Sequence, residues 1–490
     1  MIDYRKKLTT DRKLYPIDDI EDSFESDRGR IMTSPAFRRL QKRTQVFALE
    51  LNAAVRSRLT HSLEVQQTSR FIARTVLKKL RERGGLEACG LAGLEHAFVS
   101  VAEMAALLHD IGNPPFGHFA EEAINTWVAT EAPGIVDRVL GPAEESRAFR
   151  QMLLDDLASF DGNAQAIRMV EKLQRLNLSY SQTAAVLKYT RGAFEAKPPR
   201  SDELSYLKKK PGFYYAEKGF VEEMTKALSM APGARFPITY IMEAADDISY
   251  LTADLEDAVD KGILSLDEVY RLILEESRRM NEMVGSDERW FEDVVERLYK
   301  KAQKDDKPYR FNLFLTLMRA ELTRGLVEHV AQNYLDNHQA VFDGRFNHAL
   351  LELDPTSPYG IAVDVLRNIS IRHIYQHREV ETLELKGHAI LMGLLNLYRP
   401  ILEIPAEALE KLCNDEKVDT LLAQKLFRRL PQKHIVAYQK SVESIDASMD
   451  GKCRRILEWY YRMRLLLDYI SGMTDDFALK EFQELSAISL

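Results

Sequence analysis

The feature that most restricts the fold is a nearly unbroken apolar stretch, residues 98–110, which ends in the doublet His109-Asp110. A run of this length without strand-like alternation is typical of a buried helix. The Gly and Pro residues of 112–115 stop it, and a second helix is predicted over residues 117–127. A single His-Asp pair is more often a helix cap, but a polar pair at the end of a buried helix is seldom left without partners.

Helical patterns dominate the rest of the chain. Residues 61–82 and 237–259 have helical periodicity, as do most segments from 266 to 473, and few stretches alternate like strands. In the first of these, the apolar stripe comprises Leu63, Val65, Phe71, Ile72, Val76 and Leu80. Residues 191–211 and 354–360 carry loop signals. The sequence therefore predicts an all-α protein.

The length of 490 residues predicts two packed lobes, because a single core usually stops growing at roughly 250–300 residues. The predicted division is an N-terminal arm at 1–35, a catalytic domain at 36–265 and a helical C-terminal lobe at 266–490. The net charge of −8 argues against a surface uniformly cationic for nucleic acid, although the 67 Lys and Arg residues can still form local patches.

The compartment is predicted from cysteine usage and the chain's start. Cys89, Cys413 and Cys453 are far apart and odd in number, which favours a reducing compartment without a disulfide framework. The N-terminus is polar, and no apolar run approaches the ~20 residues that a membrane span needs. We therefore expect a cytoplasmic protein with no membrane partner.

Further metal ligands could come from two distant positions. His61 begins one predicted helix, and Asp246 lies on another, where it shares a face with Tyr250, Asp254 and Asp257. Imidazole and carboxylate ligands together suit several divalent ions. Periodicity alone favours a solvated acidic stripe on this helix, and an isolated histidine is more often a satisfied or exposed side chain than a metal ligand, so spacing does not establish a metal site.

The ordered set His61, His109-Asp110 and Asp246 resembles the H…HD…D signature of HD-superfamily phosphohydrolases, and more narrowly the bacterial deoxyguanosinetriphosphate triphosphohydrolases (dGTPases). The resemblance implies an HD-domain helical core with an additional, mostly helical C-terminal lobe, and a metal held by these four residues. It rests on similar segments at 24–31, 43–67, 107–125, 160–168, 187–191, 241–259, 346–352 and 468–475.

The resemblance also implies roles in catalysis and phosphate binding. His118 and Glu121 match the family's catalytic H-x-x-E pair, and their spacing places them on one helix face. Glu122 is the geometric alternative to Glu121. The phosphate-binding and substrate-contacting positions match Arg58, Lys188 and Tyr189.

Selection of the sugar is implied for four more residues. The Tyr250 ring would occupy the space of a ribose 2′-hydroxyl, and Asp254 together with Gln45 would bind the 3′-hydroxyl. Asn163 matches a further position near the substrate. A 2′-hydroxyl packed against the ring would be buried without a partner, which is costly.

The implied activity is metal-dependent hydrolysis of dGTP, and of other dNTPs, at the α-phosphorus, giving a deoxynucleoside and tripolyphosphate. Mg²⁺ or Mn²⁺ is the expected ion, with Fe, Co and Zn compatible with the ligand types. The family further implies a homo-oligomer, specifically a hexamer, and single-stranded DNA as an effector.

Two alternatives remain at this stage. One is an HD nucleotidase or phosphodiesterase of other specificity. The other is a single-stranded-DNA-binding regulator with a nucleotide-sensing pocket, in which the basic and aromatic residues 208–215 offer charge and stacking surfaces. The commoner arrangement of such a stretch is a basic loop with its aromatic rings turned inward. The helices around 383–404 and 459–473 predict packing or subunit contacts, without chemistry comparable to the N-terminal half.

Overall fold

The computed structural model describes residues 1–142 and 145–487, except for the side chain of His118. The described residues form an all-α protein, as predicted, with helices throughout the N-terminal and C-terminal halves. A short parallel pair of strands, β1 (Arg191–Gly192) and β2 (Pro211–Phe213), brackets the predicted 191–211 loop. Short 3-10 and π-helical segments occur at Tyr4–Lys6, Leu40–Lys42, Met169–Leu173, Tyr215–Glu217, Lys307–Tyr309 and Ser370–Tyr375.

The α-helices follow one another with short connections. In chain order they are α1 (Ile20–Thr33), α2 (Pro35–Arg39), α3 (Arg58–Glu82), α4 (Glu95–Leu108), α5 (His118–Leu140), α6 (Arg147–Leu157), α7 (Gly162–Arg168), α8 (Tyr180–Val186), α9 (Lys218–Ala227), α10 (Pro237–Asp260), α11 (Leu266–Val284), α12 (Trp290–Ala302), α13 (Arg310–Asp336), α14 (His338–Phe342), α15 (Pro358–Ile369), α16 (Arg378–Tyr398), α17 (Pro400–Glu403), α18 (Ala406–Cys413), α19 (Leu421–Phe427), α20 (Gln432–Glu443), α21 (Gly451–Ser471) and α22 (Asp475–Leu485).

Three long helices, α3, α4 and α10, pack against one another; α3 and α10 carry His61 and Asp246, and the His109-Asp110 doublet directly follows α4. Helix α3 begins with a capping box in which Ser57 and Thr60 satisfy each other's backbone N–H groups, one residue before His61. Helix α4 is buried on nearly every side and ends at Leu108, immediately before the His-Asp doublet. The first turn of α3 and the end of α4 therefore meet beside the middle of α10.

The predicted apolar stripe on α3 is wrong at two positions. Val65, Ile72, Val76 and Leu80 are buried, but Leu63 is 47% exposed and Phe71 is 41% exposed. Successive helical residues point ~100° apart, so positions 63 and 71 turn away from the line that packs on α4, α10 and α13. The buried face of α3 therefore contains fewer of the apolar side chains than the sequence pattern predicts.

Two hydrophobic cores organise the molecule, and each draws on both halves of the sequence. The first joins α1, α3, α4, α8 and α10 to helices α11 through α15. The second joins α5 and α6 to helices α16 through α22. The segment of residues 109–117, here named the metal-site loop, connects α4 in the first core to α5 in the second. The domain division at residue 265 remains a prediction, and these cores do not follow it.

Among the described residues, no individual helix combines the length and apolarity required to cross a bilayer. Two helical segments, Arg378–Glu403 and Ala406–Cys413, are long and apolar enough only when they are counted together, and the chain bends by 101° between them.

Candidate metal centre and substrate site

The four predicted metal ligands converge, and together they are here named the metal corner. His61 Nε2 lies 3.1 Å from Asp246 Oδ1, and His109 Nε2 lies 3.5 Å from both Asp110 Oδ1 and Asp246 Oδ1. Ligand atoms of His61, His109 and Asp110 all lie within 4.8 Å of one another. Residues separated by up to 185 positions in the sequence therefore share one small volume.

The metal corner has the chemistry of a divalent cation site. His109 Nδ1 lies 2.7 Å from the Ala106 carbonyl oxygen and must donate to it, which directs Nε2 into the corner. That Nε2 atom is buried without a hydrogen-bond partner in the described structure and faces two carboxylates. A ring that donates one N–H to a backbone carbonyl and turns its other nitrogen towards carboxylates is the usual arrangement of a metal-ligating histidine. The residues present fit a divalent ion.

Local charge keeps both aspartates of the metal corner ionised. Burial raises the pKa of Asp110, but the positive fields of His109 and Arg58 outweigh it and lower the pKa to about 2. Burial likewise raises the pKa of Asp246, and His109, His61 and Lys188 together depress it well below its usual value. Both carboxylates are therefore available as anionic ligands at neutral pH.

Two of the predicted phosphate-binding cations lie against the metal ligands. Arg58 is buried and donates through Nη1 to Asp110 Oδ2 at 2.7 Å. Lys188 Nζ lies 3.6 Å from Asp246 Oδ2, and this carboxylate raises the pKa of Lys188 although burial lowers it. Both cations thus border the metal corner, where they can compensate the charge of a bound polyphosphate.

The predicted catalytic pair lies at the start of α5. His118 is the first residue of this helix, and its side chain lies outside the described residues. Glu121 is buried and accepts a hydrogen bond from the Gly162 N–H at 2.9 Å, whereas Glu122 is exposed. A Cβ atom on Gly162 would lie 1.9 Å from Asn113 Oδ1, so only glycine allows α7 to approach this closely. Burial favours Glu121 over Glu122 as the inward-facing carboxylate.

One turn and two turns after Asp246, Tyr250 and Asp254 form a second cluster with Tyr375, here named the sugar wall. The Tyr375 hydroxyl donates a hydrogen bond to Asp254 Oδ2 and is also hydrogen-bonded to the Tyr250 hydroxyl, from which it can accept. The Tyr250 ring lies edge-on to His61, with 6.5 Å between centroids. Asp254 is fully buried, and its Oδ1 has no hydrogen-bond partner among the described residues, which leaves an acceptor for a ligand hydroxyl.

Burial excludes the interpretation of α10 as a solvated acidic stripe. Asp254 and Asp257 are both buried, and Asp257 accepts from Arg56 at 2.8 Å. Burial also raises the pKa of Asp254 to about 7, although the Tyr375 hydrogen bond lowers it. The sugar wall therefore titrates near neutrality, unlike Asp110.

Sequence reasoning missed Tyr375. This residue ends the π-helical segment Ser370–Tyr375 in the half of the chain where only packing or subunit contacts were expected. The first hydrophobic core brings helices α11 through α15, and the segment that follows them, back onto α10, which places Tyr375 beside Asp254. No spacing pattern in the sequence marks it.

The remaining predicted substrate residues lie in several environments. The side-chain oxygen of Gln45 is buried without a partner among the described residues. Asn163 donates to Asp161 Oδ1 from both its backbone and its side chain, each at 2.8 Å. The Tyr189 ring is buried beneath Lys209, whose Nζ lies 5.5 Å from the ring centroid.

The basic and aromatic stretch 208–215 has its rings mostly turned inward. Phe213 and Tyr214 are buried. The Lys209 Nζ sits 3.9 Å from the Tyr206 ring centroid, and Lys210 lies 3.7 Å from Asp161. The rings of Phe213 and Tyr214 are therefore covered and do not offer stacking faces to a single-stranded nucleic acid, and Lys209 and Lys210 already have protein partners.

Comparison with known proteins agrees with this geometry. Residues 58–182 match the HD domain model, and residues 422–484 match the model of a phosphohydrolase-associated domain. A probable deoxyguanosinetriphosphate triphosphohydrolase of Pseudomonas aeruginosa is 44% identical over 502 residues, covering 99% of each chain. Deoxyguanosinetriphosphate triphosphohydrolases of Klebsiella pneumoniae and Serratia proteamaculans are 43% and 42% identical, each over 99% of this chain and 98% or more of the relative.

Proposed function

Because this chain belongs to the deoxyguanosinetriphosphate triphosphohydrolase family, we propose that it hydrolyses dGTP to deoxyguanosine and tripolyphosphate at a divalent metal centre. The observation that carries this proposal is the convergence of His61, His109, Asp110 and Asp246 on one buried corner. The competing interpretations, a nucleotidase or phosphodiesterase of other specificity and a DNA-binding regulator, have no comparable support from the relatives or from residues 208–215.

The proposed division of labour follows the positions of the chain's own groups. A bound divalent ion polarises a phosphoryl oxygen and lowers the pKa of its water. Arg58 and Lys188 compensate the negative charge of the triphosphate beside the metal corner. Glu121 orients His118, which moves the proton of the attacking water; the buried position of Glu121 in the first turn of α5 supports this assignment.

The sugar wall selects a deoxyribose. Asp254 accepts the 3′-hydroxyl through its unpartnered Oδ1, with Gln45, whose buried side-chain oxygen also lacks a partner, as the second contact. The Tyr250 ring, which lies edge-on to His61 with 6.5 Å between centroids, is assigned to the space that a 2′-hydroxyl would occupy, on the strength of the family resemblance. Asn163 and Tyr189 are assigned to the substrate's periphery on the strength of the family resemblance.

The test is product analysis. The metal-loaded protein is incubated separately with each of the four dNTPs and with GTP, and the products are separated by ion-exchange chromatography. Tripolyphosphate and deoxyguanosine from dGTP are expected, with slower release from the other dNTPs and little from GTP. Deoxyguanosine monophosphate with pyrophosphate would contradict the proposed bond cleavage.

The identity of the ion is a finer proposal, Mg²⁺ or Mn²⁺. Carboxylates suit both ions, and the two imidazoles extend the ligand set towards Mn²⁺, Fe²⁺, Co²⁺ and Zn²⁺. The ions are ranked by adding each one alone to the metal-stripped protein and measuring the turnover of dGTP. Full activity with Zn²⁺ and none with Mg²⁺ or Mn²⁺ would reverse the assignment.

A homo-oligomer, with a hexamer as the expected form, and single-stranded DNA as an effector are also proposed. Leu421 and Leu422 at the start of α19 are 62% and 59% exposed, and adjacent apolar side chains of this kind often lie in subunit interfaces. Light scattering coupled to size-exclusion chromatography, with and without an oligonucleotide, measures both. A monomer whose dGTP turnover does not respond to the oligonucleotide would contradict both proposals.

A further inference from the structure

The metal-site loop carries chemistry at both of its ends. His109 and Asp110 lie at its beginning, and α5, with His118 and Glu121 in its first turn, begins directly after it. Between them, Phe116 has φ +65°, a backbone conformation that bulky residues rarely adopt. A loop of this kind keeps one geometry only if neighbouring groups hold it.

The holding groups come from the far end of the chain. Asp475, the first residue of α22, is buried and accepts a hydrogen bond from the Phe116 N–H through Oδ1 at 3.1 Å. Its other oxygen, Oδ2, accepts from the Thr44 N–H at 3.1 Å and from the Thr44 hydroxyl at 2.6 Å. One carboxylate thus joins the metal-site loop to the segment that precedes α3.

Arg43 fixes the same segment to the same loop. Its buried guanidinium donates to the Ser471 and Met473 carbonyls, at 2.6 and 3.1 Å, and to the Ile111 and Asn113 carbonyls of the metal-site loop. Ser471 is the last residue of α21, where helical carbonyls lack intrahelical partners and attract cations, and Met473 lies two residues beyond it. Arg43 therefore holds the chain just before Asp475 and, at the same time, the metal-site loop.

The Phe116 side chain is also held, by packing against α16. The Phe116 side chain rests on α16 at Gly387, where an added Cβ atom would come within 2.4 Å of Phe116 Cβ. Phe116 is thus fixed by a carboxylate at its backbone and by a helix surface at its ring. The start of α5 has little freedom to move while both contacts hold.

We propose that Asp475 is a positioning residue for the reaction, which sets the start of α5, and with it His118 and Glu121, against the metal corner. This inference rests on the proposed dGTP hydrolysis. Asp475 acts through the Phe116 N–H, and Phe116 lies six residues after Asp110, the nearest proposed metal ligand along the loop. Its other hydrogen bonds are with Thr44, so it contacts the loop without bonding to a proposed metal ligand. Its removal should therefore affect the catalytic step more than metal or substrate binding.

The experiment compares Asp475→Ala and Asp475→Asn with the full-length wild type. We expect Asp475→Ala to lower kcat for dGTP about 100-fold, the scale of a small misplacement of catalytic groups, with KM and metal content unchanged. Asp475→Asn offers only a neutral acceptor, so a smaller loss of about 10-fold is expected. Asp476→Ala is the matched control, because Asp476 is the next residue on α22, is exposed, and contacts only Lys42 among the ion pairs of the described chain, at 3.8 Å.

A kcat of the wild-type value in either Asp475 variant, or an equal loss in Asp476→Ala, overturns the inference. A rise in KM or a loss of metal that accounts for the whole defect also overturns it, because a general structural role would have those effects. If Asp475→Ala does not fold, the kcat and KM of the similarly shaped Asp475→Asn variant decide. Wild-type turnover of dGTP in the same assay separates failure of this inference from failure of the proposed function.

Discussion

The metal corner and the sugar wall both use α10, yet they differ in how the chain supplies their other residues. The metal corner adds His61 and the His109-Asp110 doublet, all from the N-terminal part of the chain and all ligand types that a sequence motif reveals. The sugar wall adds Tyr375, which only the packing of the C-terminal half onto α10 brings into contact. Ion binding depends on a few fixed residue types, whereas sugar recognition depends on shape, which many residue types can supply.

The largest expected effect comes from breaking the metal corner. His109→Ala should lose bound metal and dGTP turnover together, because it removes an imidazole that faces both carboxylates. Metal analysis and tripolyphosphate release measure the two losses. His96→Ala is the control, since His96 is exposed at the start of α4, the helix that ends directly before His109. A His109→Ala protein with its full metal content would show that the ion binds elsewhere.

The second effect separates catalysis from ion binding. Glu121→Gln should retain the metal while kcat falls about 100-fold, in the range of lost general acid–base assistance. Glu122→Gln, one residue further and exposed, should behave like the wild type. If the Glu121→Gln protein lacks metal, Glu121 is a metal ligand rather than the residue that orients His118.

A smaller effect is expected at the sugar wall. Tyr375→Phe removes the hydroxyl that donates to Asp254 and should lower kcat/KM for dGTP about 10-fold, since a buried acceptor loses a partner. Metal content should not change. Tyr309→Phe, at a tyrosine that is 62% exposed, is the control. Loss of metal in Tyr375→Phe would show that the two regions are not separable.

The smallest effect is a pH dependence that only the sugar wall should show. The pKa of Asp254 is about 7, so lowering the pH from 7.5 to 6.5 protonates the acceptor of the 3′-hydroxyl and should reduce kcat/KM about threefold. Asp110, with a pKa of about 2, stays ionised, so metal content should hold. Tyr375→Phe should shift this step to higher pH, because the lost hydrogen bond lowers the pKa of Asp254. If the Asp254→Asn variant shows the same fall in kcat/KM between pH 7.5 and 6.5, a group other than Asp254 is responsible for the pH dependence.

The sequence was sufficient for the parts of the molecule that depend on residue type and local order. The buried helix before His109, the Gly and Pro break after it and the helical Asp246 segment could all be predicted. Which apolar side chains are buried was less predictable: Leu63 and Phe71 were expected on the buried stripe of α3 but are exposed. Asp475 lies inside a segment that carries the family resemblance, but its hydrogen bond to a backbone N–H has no sequence pattern, so its role needed the structure.

The distribution of the two hydrophobic cores has a consequence for biosynthesis. When the first 265 residues have left the ribosome, α5 still lacks α16, α17 and α21, which pack against it, and Asn396, which accepts the hydrogen bond of the Trp127 indole N–H. Asp475 emerges later still. A nascent chain therefore contains all four proposed metal ligands long before α5 is held in place, and we expect it to gain activity only when translation is almost complete.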